Sequence, residues 1–164
     1  MKLIAVLTLT LGFFVSFAQL SEGEGSVASV PNTNIQLYLP NHFVVKEGES
    51  PGAMHHASGT FIVVVKVPEN QSFTLESGLP ESFFSKDSRM NVSLVEEKDS
   101  NEILGREGRL YFTKYQLIGY EFERLTLLMK HEDDHYLVIG NYAVKLKDQV
   151  EEEVIKVMQS VSLN

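Results

Sequence analysis

A chain of 164 residues with 14 basic and 22 acidic side chains carries a formal charge of -8, and it contains neither cysteine nor tryptophan. Without thiolates there is no disulfide framework and no cysteine-ligated zinc or iron–sulfur centre. Without a basic surplus there is no source for the phosphate neutralisation that drives nucleic-acid binding, so nucleic acid is not expected as a partner.

The first element along the chain is an export signal. Lys2 precedes an apolar run from Leu3 to Phe17 that is broken only by Thr8, Thr10, Gly12 and Ser16. Small Ser16 and Ala18 then stand third and first before a cut ahead of Gln19, where signal peptidases have shallow pockets. This predicts a cleavable signal over 1–18 and a periplasmic or secreted product. The run is about fifteen residues, short of the ~20 a spanning helix needs, so no stable membrane span is expected after cleavage. Roughly 146 residues remain, one domain's worth of chain with enough buried surface for its own core.

Residues 19–33 hold three serines, two glycines and a proline but no aromatic side chain, which predicts a flexible leader before a single domain over 34–164. In that domain Ile35, Leu37 and Leu39 alternate with polar neighbours up to Pro40, a half-buried strand. Phe43–Val45 reads as a second, short strand. Residues 46–59, with three glycines, a proline and two adjacent histidines, read as a long loop. Thr60–Val67 is nearly all β-branched and predicts a central strand covered on both faces. Leu79, Phe83, Phe84 and Met90 fall on one helical face, so a helix is expected over 79–90. A strand over 91–97 follows. Three apolar runs, 109–117, 120–130 and 136–144, are separated by Ile118–Gly119 and by an acidic turn, and read as an antiparallel meander. Val150, Val154, Val157, Met158 and Val161 then recur at helical spacing behind an Asp148 N-cap with Glu151 three residues later. The order predicts an α+β fold: an antiparallel sheet of about six strands flanked by helices.

Candidate chemistry is sparse. His131-Glu132-Asp133-Asp134-His135 satisfies the H-E-x-x-H pattern, which binds zinc when a helix brings both histidines to one face. Its strand-like flanks and its Glu-Asp-Asp run predict instead a solvated hairpin tip, with a weak cation site from Asp133, Asp134 and the flanking His131 and His135 as the alternative. His55 and His56 diverge on extended backbone and would need a third group, such as His42, to hold a metal. No nucleophile elbow is present. Gly23-Glu-Gly25 and the Gly105/Gly108 pair read as turns rather than phosphate loops. The carboxylates at 96, 97, 99 and 102 read as a polar connection. Tyr111, Phe112, Tyr115, Tyr120 and Phe122 belong to strands, as core, sheet surface or the lining of a ligand groove. No catalytic residue, cofactor or metal is assigned.

The assembled order resembles the PsbP-like superfamily, which includes the extrinsic photosystem II protein, a nuclear Ran-binding protein and exported bacterial proteins of the DcrB type. The resemblance rests on Ile35-Gln-Leu-Tyr-Leu-Pro-Asn-His-Phe43, Gly59-Thr-Phe-Ile-Val-Val-Val65, Gly108-Arg-Leu-Tyr111, Tyr136-Leu-Val-Ile-Gly-Asn-Tyr142 and Met158-Gln-Ser-Val161. Asn41-His42-Phe43 departs from the Pro-x-Gly-Trp usual after the first strand. The resemblance spans about residues 34–162 and implies an α/β/α sandwich that binds partners rather than turning over substrate. It transfers no site residue, because fold does not imply function. The reading is therefore an exported, non-enzymatic binding or assembly module of the cell envelope, its partner a protein or small molecule. The alternatives are a metal-binding protein or metal-dependent hydrolase using His131/His135 or His55/His56, and a small-molecule carrier with a groove between sheet and helix.

Overall fold

The computed structural model describes residues 25–71, 73–85 and 90–164. Its strands are β1 (Gly25–Ser29), β2 (Ile35–Pro40), β3 (Phe43–Lys46), β4 (Gly52–His55), β5 (Phe61–Lys66), β6 (Asn91–Lys98), β7 (Arg109–Leu117), β8 (Tyr120–His131), β9 (Asp134–Ala143) and β10 (Ser162–Leu163). Helix α1 (Glu81–Ser85) precedes β6, α2 (Ser100–Leu104) precedes β7, and α3 (Lys147–Ser160) follows a single 3-10 turn after β9. Seven strands form one sheet in the order β3-β4-β5-β9-β8-β7-β6, and β1-β2-β10 form a second. Neighbouring strands run antiparallel throughout. The mixed, antiparallel α+β architecture is the one expected from the sequence.

Each face of the large sheet is covered in its own way. The inner face carries Leu125, Leu127, Val138, Ile62 and Val64, against which α3 lays Val150, Val154, Val157 and Met158. The spacing of these valines explains why the helix buries one stripe and no more. Gly140 lets α3 approach, since a Cβ there would stand 2.7 Å from Val154 and 2.8 Å from Met158. Ile35, Leu37 and Leu39 of β2 close the same core. The outer face carries Tyr111, Leu128 and Leu137, which pack with Phe73, Leu79 and Phe84 from α1 and the chain before it. Arg109 ties that chain down: its guanidinium takes both oxygens of Glu97 at 2.8 Å and donates to the carbonyls of Leu75 and Glu76. The Arg109 hydrogen bond holds the Glu97 carboxyl below its ordinary range.

Four expectations change. Residues 25–29, placed in a flexible leader, form β1, and Val30 just after it is buried to 1% exposure, because small and β-branched residues suffice for pairing along β2. The loop over 46–59 contains β4, whose Ala53 is fully buried beside Ile62. The helix expected over 79–90 is described only as Glu81–Ser85; residues 86–89 lie outside the described residues. Asp148 is not an N-cap: α3 starts at Lys147 behind Leu146, two residues earlier than that cap would place it and with no side-chain cap, and Asp148 sits in the first turn. The polar stretch at 96–102 is likewise ordered. Glu96 and Glu97 close β6, and Asp99 caps α2 by accepting from the backbone N–H of Asn101 and Glu102.

Candidate functional site

The H-E-x-x-H segment is a β-hairpin. Glu132 and Asp133 form its two-residue turn, with Glu132 at a φ of +55°, and the register sets Lys130 opposite His135 and His131 opposite Asp134. Directly opposed residues share a face, and successive residues alternate. His131 therefore lies with Asp134 and Tyr136 on the inner face, while His135 lies with Lys130 on the outer one. Asp134 pairs with Lys66 at 2.6 Å. Two imidazoles on opposite faces of a ribbon cannot act as the paired ligands of a helical zinc motif. The turn chemistry of Glu-Asp-Asp has prevailed over the pattern match.

His55 ends β4 half-buried and His56, next in the turn, is exposed. The His42 ring lies 5.8 Å from that of His55, so the strands do bring these two together. Nδ1 of His55 accepts from the Ser58 backbone N–H at 3.1 Å, with Ser58 Oγ at 2.7 Å. Both histidines border a hollow of about 380 Å³ whose other wall is Leu146, Gln149, Val150 and Glu153. Among the described residues, no three His, Asp or Glu side chains converge as a metal site would require.

A different cluster sets Tyr115 and Phe122, two of the strand aromatics named above, among polar residues that the sequence did not single out. On the outer face, Thr113 lies opposite Arg124, Arg124 opposite Asn141, and Tyr115 opposite Phe122, with Thr126 two residues on from Arg124. Thr113 is 2% exposed, Thr126 0% and Asn141 5%. The Tyr115 hydroxyl donates to Asn141 Oδ1, and the Tyr115 and Phe122 rings stack at 5.4 Å. The Arg124 guanidinium carbon stands 4.8 Å from the Tyr115 ring centroid. Arg124 reaches Tyr115 Oη at 3.5 Å and Met90 Sδ at 3.7 Å, both weak contacts, and has no carboxylate partner among the described residues. Thr113 Oγ1, Arg124 Nε and Thr126 Oγ1 are buried without a hydrogen-bond partner among the described residues. Such orphans are few in native proteins, so three adjacent ones make this the candidate site of the outer face. The signal was present in the sequence as polar residues at alternate positions of otherwise apolar strands. Only the register reveals that they share one face.

The inner face holds a second polar group, and it is satisfied. Glu123 has a side chain 2% exposed, yet it receives Lys147 at 2.8 Å and Lys114 at 3.2 Å. The Tyr142 hydroxyl lies 3.0 Å from Glu123 and 2.8 Å from Glu151 and donates to one at a time. Burial disfavours the charged form of Glu123, but the hydrogen bonds from Lys147, Lys114 and Tyr142 outweigh it and hold the carboxyl below its ordinary range. Burial first, then Glu151 and Glu123, push the Tyr142 phenol far above its ordinary value. These groups neutralise one another and act as a clasp between sheet and helix.

The described architecture has a counterpart among solved structures. Cyanobacterial PsbP (CyanoP) from Synechocystis sp. PCC 6803, determined in solution, matches with a TM-score of 0.54 over 88% of this chain and 95% of that one. The fold is PsbP-like. At 11% sequence identity the PsbP-like match carries the fold alone. No family model matches the chain, and no curated protein matches it in sequence. The stretches that carried the resemblance to PsbP-like proteins turn out to be β2, β5, the start of β7, β9 and the end of α3, all of them core-building.

Proposed function

We propose that this chain is an exported, non-enzymatic binding module of the cell envelope, periplasmic or secreted, and that it binds through the outer face of its large sheet. The observation that carries the reading is the cluster of three buried, unpartnered polar atoms around Arg124. An unmet buried donor or acceptor costs about 1–3 kcal/mol, so a polar group brought to this cluster would offset part of that cost. Support for export comes from the Lys2–Ala18 pattern, and no helix among the described residues is long and apolar enough to cross a membrane. The PsbP-like architecture supports a non-catalytic role by analogy of fold.

Two measurements test the proposal. N-terminal sequencing of the exported protein should begin at Gln19; an intact Met1 in the membrane fraction would refute the export signal. Native mass spectrometry of the protein from its own compartment should show a bound mass that Thr113→Val/Thr126→Val loses. A bound mass indifferent to that double substitution would place binding elsewhere.

A further inference from the structure

The hollow between the histidines and α3 lies on the other side of the sheet from Arg124. His55 opposes Phe43, whose side chain belongs to the inner core, so His55 faces α3. Across from it Leu146, Gln149, Val150 and Glu153 recur at i, i+3, i+4 and i+7, the spacing of one helical face. Main-chain bonds hold the histidine wall in place. The His56 N–H donates to the His42 carbonyl at 3.1 Å, and the His55 N–H to the Thr60 carbonyl at 2.7 Å. The His55 ring also meets the Phe43 ring edge to face at 5.2 Å. Glu153 is half-buried, and among the described residues no Lys, Arg or His nitrogen comes within 4.0 Å of its carboxylate. Its neighbour Glu152 is exposed and pairs with Lys156 at 2.7 Å.

We infer that this hollow binds a small organic ammonium ion, its charge on Glu153 and its apolar body over Leu146 and Val150, against the His42 and His55 rings. Charge selects the head. No lysine or arginine is among the described residues that line the hollow, and Glu153 is the one carboxylate there. A half-buried carboxylate without a counter-ion attracts a cation and repels an anion, and a neutral alcohol forms no charge-assisted bond with it. Volume selects the body. At about 380 Å³ the hollow is near the lower end of the ~300–1,000 Å³ of ligand pockets, which suits one ring or a short chain. Distance disfavours a metal ion. Two donors held ~2.0–2.1 Å from one tetrahedral zinc stand about 3.3 Å apart, closer than the imidazole nitrogens come to the Glu153 oxygens.

The test is titration calorimetry of the exported protein with 2-phenylethylamine, 2-phenylethanol and phenylacetate at pH 8, where histidine is ordinarily uncharged. The amine is expected to bind about tenfold or more tighter than the alcohol, and the alcohol tighter than the anion. Glu153→Gln should abolish the advantage of the amine over the alcohol. Glu152→Gln, next in the chain but already paired, should keep it. His42→Ala, at an exposed turn position, should weaken amine and alcohol alike through the lost ring contact. Thr113→Val/Thr126→Val should leave amine binding unchanged, so this hollow and the outer face stand or fall separately. Equal affinity for amine and alcohol, or an advantage kept in Glu153→Gln, would overturn the inference. An equal loss in Glu152→Gln would also overturn it, as general attraction of cations to a chain at -8. So would failure of the amine to bind, or its loss in Thr113→Val/Thr126→Val. Stoichiometric zinc binding that both Glu153→Gln and His42→Ala lose would replace the ammonium site with a metal site.

Discussion

Ile118 and Gly119, the turn between β7 and β8, both have positive φ, +52° and +78°. Two left-handed residues in a two-residue loop match the right-handed twist of the flanking strands, and Asn-Gly is the sequence that suits them best. Ile118 is 88% exposed, so its branched side chain gains no burial to offset the strain. Ile118→Asn is therefore expected to stabilise the protein by about 1 kcal/mol, read as a higher urea midpoint at unchanged slope. Gly140→Ala should do the reverse. Its new methyl meets Val154 and Met158, and overpacking of this kind costs about 1–3 kcal/mol in the same experiment. The glycine at 119 was legible as a turn. The one at 140 was not, because its role is set by a helix that arrives later in the chain.

The Glu123 clasp is a property of elements, because it joins β7, β8, β9 and α3 through Lys114, Glu123, Tyr142 and Lys147. Its carboxyl titrates lower in the folded protein than the ordinary 4.5 of an unfolded chain. The unfolded state then binds a proton first, so the clasp's contribution is complete above about pH 4.5 and is lost as pH falls through the lower folded value. Glu123→Gln is expected to lower stability by roughly 2 kcal/mol at pH 7 and to flatten this acid limb. Urea unfolding between pH 3 and pH 7 measures both, and an unchanged limb would assign the acid dependence to other carboxylates, Glu97 among them. In the sequence Glu123 looked like one more polar residue on an alternating strand. Its partners come from three other elements, and no spacing rule links them.

Across the whole molecule, the second sheet joins the two ends of the described chain: β2 pairs with β1 on one side and with β10 on the other. A chain beginning at Asn34 should therefore melt below one beginning at Gly25, since it loses the pairing of β1 and the burial of Val30. The Val30 side chain alone corresponds to about 1.5–3 kcal/mol. Equal melting temperatures would return residues 25–33 to the status of a leader. The sequence by itself determined the α+β class, the alternating strands around the central β5, the meander of β7 to β9 and the apolar stripe of α3. Each of these is written in local periodicity, which the side-chain geometry of strands and helices enforces. Tertiary structure alone decided the insertion of β9 between β5 and β8, the pairing of β1 and the fate of the histidines. It also decided that Thr113, Arg124, Thr126 and Asn141 share one face, because register between strands far apart in the chain is set by packing of whole faces.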